Sequence, residues 1–108
     1  MTTMTTMTYH DLVNSYTADP REIPTSPVTR VAPKWFYAYG KNGRVYVSSG
    51  REHVNASRIC HDRRLREDEF SKMLDLYRRR ERGAPVSAEA QASINSSYWF
   101  GIFKDLSA

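Results

Sequence analysis

The sequence predicts a small α+β domain with a β-hairpin packed on two main helices, preceded by an extended, proline-rich N-terminal arm. Three observations lead to this prediction. An Asn-Gly pair separates two runs rich in β-branched and aromatic residues, which is the strongest short-range signal for a hairpin. Two later segments repeat apolar residues at the spacing of one helix face. A length of 108 residues suits one domain with a modest core.

Residues 1–33 are predicted to form the arm, and residues 34–108 the binding domain. The leader MTTMTTMT is a low-complexity repeat, and YHDLVNSY either forms a short helical turn or stays loose. Four of the five prolines fall between residues 20 and 33, where each fixes the backbone angle φ and removes an amide donor. We therefore expect an extended arm that is flexible or draped over the surface.

The hairpin is predicted around Asn42-Gly43, in the segment KWFYAYGKNGRVYVSS. A two-residue turn there pairs Lys41 with Arg44 and sets the register of both strands. Because side chains alternate between the faces of a strand, two faces can be assigned. The core face is expected to carry Phe36, Ala38, Val45 and Val47. The opposite, aromatic face is expected to carry Trp35, Tyr37, Tyr39 and Tyr46.

The first main helix is predicted within RLREDEFSKMLDLYRRRERG, which ends at Gly83. Acidic residues lie in its first turn and arginines in its last, as the helix dipole favours. Its apolar face is expected to consist of Phe70, Met73, Leu74 and Tyr77.

The second main helix is predicted within SAEAQASINSSYWFGIFKDL, with Ser87 as its N-cap. A helical stripe of large apolar residues marks its core face. These residues are Trp99, Ile102, Phe103 and Leu106, and Ala88, Ala92 and Asn95 continue the face with small residues. The aromatic run SSYWFGIF is also compatible with a strand, and we predict a helix there.

The positive charge of the chain is concentrated in one third of its length. The net charge is +4, but residues 34–66 contain eight basic and two acidic residues, a net of +6. A local positive field favours polyanions, of which nucleic acid is the commonest. The residues predicted to contact it are Lys41, Arg44, Arg51, Arg58, Arg63, Arg64 and Arg66.

The aromatic face of the hairpin has three interpretations. Rings flanked by cations can stack on nucleotide bases. Aromatic residues and arginine are also enriched at protein interfaces. Alternatively, the hairpin is covered on both sides, by a helix on one face and by the arm on the other.

The stretch REHVNASRIC, residues 51–60, follows the hairpin and precedes the first main helix. Asn55 or Ser57 could cap that helix. Residues 54–60, VNASRIC, also resemble the V-N-A-T-(K/R)-(I/L)-C signature of KilA-N domains, which are relatives of the fungal APSES domains; Ser57 stands where the family usually has Thr. The resemblance implies that the motif closes a strand and opens a helix, and that nearby basic residues bind DNA.

Catalytic and metal chemistry is not indicated by any motif. The histidines and the single cysteine, Cys60, do not have the spacing of a metal site, so no metal and no cofactor is predicted. A faint similarity to GIY-YIG nucleases lacks the Gly-Ile-Tyr triplet, although Glu67 or Glu69 could hold Mg²⁺. The absence of a disulfide framework, a signal peptide and a long apolar segment leads us to expect a cytoplasmic protein without a membrane partner.

Together these observations favour a small, basic, non-enzymatic binding module of phage or mobile-element type. Its expected ligand is nucleic acid, with duplex DNA as the first choice. One alternative is an inhibitor or adaptor that binds a host protein, or a second copy of the chain, through the aromatic face. Another alternative is a small Mg²⁺-dependent nuclease.

Overall fold

A four-stranded antiparallel sheet with helices packed on one face forms the domain, which confirms the α+β class. The computed structural model describes residues 7–27, 32–91 and 95–107. The strands follow the order β1-β2-β3-β4. In chain order the elements are α1 (Tyr9–Ala18), β1 (Arg21–Pro24), β2 (Trp35–Lys41), β3 (Arg44–Ser49), β4 (Arg63–Leu65), α2 (Glu67–Glu81), α3 (Ser87–Ala90) and α4 (Ser96–Ser107). The sheet thus has two strands, β1 and β4, beyond the predicted hairpin.

The hairpin formed by β2 and β3 has the predicted turn and register. Asn42 and Gly43 have φ angles of 53° and 74°, the left-handed values that a two-residue turn of this kind needs. Lys41 lies opposite Arg44. The predicted core face is confirmed, because each of its four side chains is completely buried: Phe36, Ala38, Val45 and Val47.

Helix α1 and strand β1 form from residues within the predicted arm. Thr8 caps α1 in a reciprocal capping box with Asp11. Leu12 and Tyr16 of α1 are completely buried against the sheet. Strand β1 pairs with β2 as an edge strand. The core therefore does not divide at residue 33, whereas residues 1–6 and 28–31 of the predicted arm lie outside the described residues.

Close contact between α1 and β2 depends on Gly40. A β-carbon at this position would meet the side chain and the amide nitrogen of Thr17 and the carbonyl oxygen of Val13. The missing side chain allows the helix backbone to lie directly on the strand. Helix α1 is thereby held against the inner face, near the hairpin turn.

Helices α2 and α4 complete the core on the same face as α1. Helix α2 buries its predicted face and ends before Gly83, which has a φ of 87°. The aromatic run SSYWFGIF is helical in α4, as predicted.

The second predicted helix is two helices in the structure. The short α3 ends at Ala90 and α4 begins at Ser96, while residues 92–94 lie outside the described residues. Ser87 is the first residue of α3 and not its N-cap, which is Val86 without a side-chain capping hydrogen bond. Among the described residues no helix is both long and apolar enough to cross a membrane.

Candidate nucleic-acid interface

The face of the sheet opposite the helices, here called the outer face, brings the basic residues nearest the turn together. The register places Lys41 opposite Arg44, beside the turn. Two pairs further along, Tyr39 lies opposite Tyr46, and Tyr46 lies opposite Arg64. Neighbouring strands are about 5 Å apart, so these side chains share one small area. We call the four cations at this end the tip cluster: Lys41, Arg44, Arg64 and Arg66.

Most of the positive charge in the tip cluster is not neutralised by neighbouring carboxylates. All four side chains are exposed. Arg66 pairs with Asp68, with 2.7 Å between Nη2 and Oδ2. Lys41, Arg44 and Arg64 form no ion pair within 4.0 Å of any carboxylate in the described part of the chain. Three of the four cations of the tip cluster are therefore available to an external anion.

A shallow cleft of about 410 Å³ lies within the tip cluster. Arg44, Arg64 and Arg66 line it together with the turn residues Asn42 and Gly43. The first turn of α2 contributes Glu67 and Asp68 to one side, so the cleft is basic with an acidic rim.

Tyr9 connects α1 to the strands that carry the tip cluster. Its hydroxyl group donates a hydrogen bond to the carbonyl oxygen of Leu65 at 2.6 Å and accepts one from the amide of Val45 at 3.0 Å. Val45 and Leu65 face each other across β3 and β4, and the side chain of Tyr9 is buried. The phenol therefore fixes the relative position of the two strands where Arg44 and Arg64 project.

The tyrosines of the aromatic face stack on one another along the outer face. The rings of Tyr39 and Tyr46 are nearly parallel, with 5.4 Å between their centroids. Tyr37 follows at 5.7 Å from Tyr39. The hydroxyl group of Tyr39 donates a hydrogen bond to Asp62. Partial burial, followed by this bond to an anion, raises the pKa of Tyr39 to about 12.

Acidic residues replace basic ones at the other end of the outer face. A cleft of about 580 Å³, here called the tyrosine cleft, is lined by Tyr37, Tyr39 and Ser48. Its charged residues are Glu22, Arg51, Glu52 and Asp62. Three carboxylates against one guanidinium give the lining a net charge of −2.

Glu22 holds the loop that borders the tyrosine cleft. Its carboxylate accepts hydrogen bonds from the amides of Arg51 at 2.5 Å and Glu52 at 2.8 Å, and it contacts Nδ1 of His53 at 2.8 Å. The imidazole of His53 stacks on Trp35 at 3.6 Å. Burial alone would raise the pKa of Glu22, but the bonds from His53 and the two amides outweigh it, so that pKa lies below its usual value.

Three of the seven predicted phosphate contacts lie away from the tip cluster. Arg63 belongs to the inner face, where its guanidinium lies 5.8 Å from the ring centroid of Tyr98 and donates to Oδ1 of Asn95 at 3.3 Å. Arg51 and Arg58 are exposed in the loop after β3, beyond the end of the strand opposite the turn. The structure therefore places four of the predicted cations together and separates the other three.

The VNASRIC motif lies in this loop and does not open a helix. Strand β4 separates it from α2, whose N-cap is Arg66 without a side-chain capping bond. The predicted capping role of Asn55 or Ser57 is therefore wrong. Instead, the amide group of Asn55 donates to the carbonyl oxygen of Pro33, and the buried hydroxyl of Ser57 contacts the hydroxyl of Tyr98 at 3.1 Å. The motif fastens the loop to the domain.

Metal-ligating side chains are not clustered in the described ranges, where no group of three His, Cys, Asp or Glu residues could hold an ion. Glu67 lines the cleft of the tip cluster. Glu69 accepts a hydrogen bond from Nε1 of Trp99 at 3.4 Å. Cys60 is exposed as a free thiol.

Comparison with known proteins adds no assignment. No family model, no curated protein and no solved structure matches this chain. The function must therefore be inferred from the two charged ends of the outer face.

Sequence reasoning did not identify the acidic end of that face. Glu22 and Asp62 are far apart in the chain and reach the tyrosines only through the pairing of β1 with β2 and of β3 with β4. The available signal was the apolar spacing of Tyr9, Leu12 and Tyr16, which would have placed a helix before β1.

Proposed function

We propose that this protein binds nucleic acid, with duplex DNA as its ligand, through the tip cluster. The proposal depends on one observation: Lys41, Arg44 and Arg64 lie side by side at an exposed hairpin end without carboxylate partners among the described residues. Phosphate groups are the anions that such closely spaced cations attract most strongly. A two-stranded β-ribbon also has the width of the DNA major groove.

The state of the tyrosines favours a duplex over a single strand. Proteins that bind single strands offer free aromatic faces to the bases. Here Tyr39 and Tyr46 stack on each other, and Tyr39 is further held by Asp62. The carboxylates of the tyrosine cleft would also repel the phosphate backbone of a single strand that ran along the whole outer face.

The resemblance of residues 54–60 to the KilA-N signature implies the same class of ligand, although these residues form a loop here and do not open a helix as that resemblance implies. Those residues lie at the end of β3 opposite the tip cluster. Under this proposal they support the loop and leave the phosphate contacts to the hairpin end.

Fluorescence anisotropy with a labelled duplex of about 20 base pairs tests the proposal. About four phosphate contacts give a slope near −3.6 for log K against log salt, which is roughly a hundredfold weakening between about 50 and about 200 mM salt. The variant K41A/R44A/R64A should lose about three of these contacts, so its slope should fall to about −0.9.

The matched control removes cations that the structure separates from the tip. R51A/R58A changes the charge in the same direction but should leave the slope almost unchanged. Losses in proportion to the three and two charges removed would mean that binding follows net charge and not the tip cluster, and an unchanged slope in the triple variant would refute the site. Parallel assays with single-stranded DNA and RNA define the ligand class.

A further inference from the structure

We propose that the tyrosine cleft binds the guanidinium group of an arginine in a basic segment of a partner protein. The cleft is a second site on the outer face, separate from the tip cluster and opposite to it in charge. This inference does not depend on nucleic-acid binding.

A similar arginine site, partly buried, is already occupied elsewhere in the fold. The guanidinium of Arg21 lies 4.7 Å from the ring centroid of Tyr16 and pairs with Asp105, with 2.5 Å between Nη2 and Oδ2. The hydroxyl of Tyr16 also donates to that carboxylate at 2.9 Å. A tyrosine ring and a carboxylate joined by a hydrogen bond therefore form one side of a guanidinium site in this fold, combining a cation–π contact with an ion pair. Asp19 completes that site with a carbonyl acceptor at 2.7 Å and a carboxylate oxygen at 3.3 Å.

Tyr39 and Asp62 repeat the hydrogen-bonded pair of this site on the surface, with the ring of Tyr37 beside them and without an arginine. The hydroxyl of Tyr39 donates to Asp62, as that of Tyr16 does to Asp105. No guanidinium of the described residues forms an ion pair with Asp62 or lies over the ring of Tyr39. Asp62 is exposed, and the pair opens onto a cleft of about 580 Å³, large enough for an incoming side chain.

The charges around Asp62 favour a cation over an anion in this cleft. Glu22 and Glu52 line it as further carboxylates, and Arg51 is its single cationic lining residue. Lys41 and Arg51 act on Asp62 at longer range and, after its hydrogen bonds with Tyr39 and Ser48, help keep its pKa below the usual value. Asp62 is thus an exposed anion in the lining of the cleft.

Arginine fits this site better than lysine. Its planar guanidinium can pack against Tyr37 while donating two hydrogen bonds to one carboxylate. The ammonium group of lysine is more strongly hydrated and lacks the flat surface that stacks.

Titration calorimetry with the peptide acetyl-Gly-Arg-Gly-Arg-Gly-amide tests the site. Twin peptides carry citrulline, which has the shape of arginine without its charge, or lysine. We expect the arginine peptide to bind, the lysine peptide to bind several-fold more weakly, and the citrulline peptide to lose roughly tenfold or more. D62N keeps a hydrogen-bond acceptor for Tyr39 and should weaken the arginine peptide roughly tenfold.

A second pair of variants covers the case in which D62N affects folding. E52Q changes an exposed residue and should weaken the arginine peptide a few-fold, whereas R58A, outside the cleft, should not weaken it. Equal binding of the arginine and citrulline peptides would refute the inference, as would equal binding of the lysine peptide or full affinity in both D62N and E52Q. DNA affinity in D62N should be unchanged or higher, so failure here is distinguishable from failure of the DNA proposal.

Discussion

The two ends of the outer face are built from the same strands, yet one is basic and the other acidic. The tip cluster is formed by residues beside the turn, where Lys41 and Arg44 pair. Two residues further along β2, about 7 Å away, Tyr39 is bonded to Asp62, and Glu22 lies opposite Tyr37. A charge count over residues 34–66 hides this division, because strand pairing brings acidic residues from both sides of the hairpin. Local surface chemistry therefore follows the register more closely than the composition.

Reversing the charge of the tip should produce the largest effect. K41E/R64E is expected to reduce duplex DNA affinity by roughly a thousandfold, since two attractive contacts become repulsive. The same variant should bind the arginine peptide as well as, or better than, the unchanged protein. Anisotropy measures the DNA affinity and calorimetry the peptide affinity, both on one preparation of the variant. Loss of both activities would mean that the two ends are not separate sites, and R58E is the control for charge reversal elsewhere.

Removing the Tyr9 hydroxyl should affect stability and the tip together. Y9F leaves the amide of Val45 and the carbonyl of Leu65 without their buried partner, which costs about 1–3 kcal/mol of unfolding free energy. Chemical denaturation measures this loss. Because Arg44 and Arg64 flank the disturbed pair, DNA affinity should also fall a few-fold.

Y98F is the matched control, since it removes a buried hydroxyl contact with Ser57 near the loop. It should lower stability without altering DNA affinity. If Y98F weakened DNA binding as much as Y9F, the specific link between Tyr9 and the tip would be wrong.

Lowering the pH should reduce the stability that Glu22 contributes at the acidic end of the outer face. This is the smallest of the expected effects. The pKa of Glu22 is lower in the folded chain than its ordinary value of about 4.5. Its contribution to stability is therefore complete above about 4.5 and is lost as the pH falls through the folded pKa. In thermal melts between about pH 3 and 7, the melting temperature of the unchanged protein should fall more steeply with decreasing pH than that of E22Q. Parallel curves would show that Glu22 does not hold the loop.

The elements that sequence reasoning recovered are those specified locally. Asn42-Gly43 determines the turn, and the turn determines which residues of β2 and β3 face the core. Helix α2 carries its own apolar face and its own stop at Gly83.

The elements that it missed depend on partners distant in the chain. Strand β1 contains Pro24, and β4 is three residues long with two arginines, so neither shows strand alternation. Arg63 and Arg64 look equivalent in sequence, but the alternation of β4 directs Arg63 toward Tyr98 and Arg64 to the outer face. The tyrosine cleft required both pairings and could not be read from any single segment.

The division of the outer face can be tested most directly by amide chemical-shift mapping of the whole chain with the DNA duplex. We predict that the perturbed amides centre on residues 41–44 and 64–66, and that Tyr37, Ser48 and residues 51–53 remain unperturbed. Perturbations centred on the tyrosine cleft, or spread evenly over all exposed arginines, would contradict the separation of a DNA-binding tip from an acidic cleft.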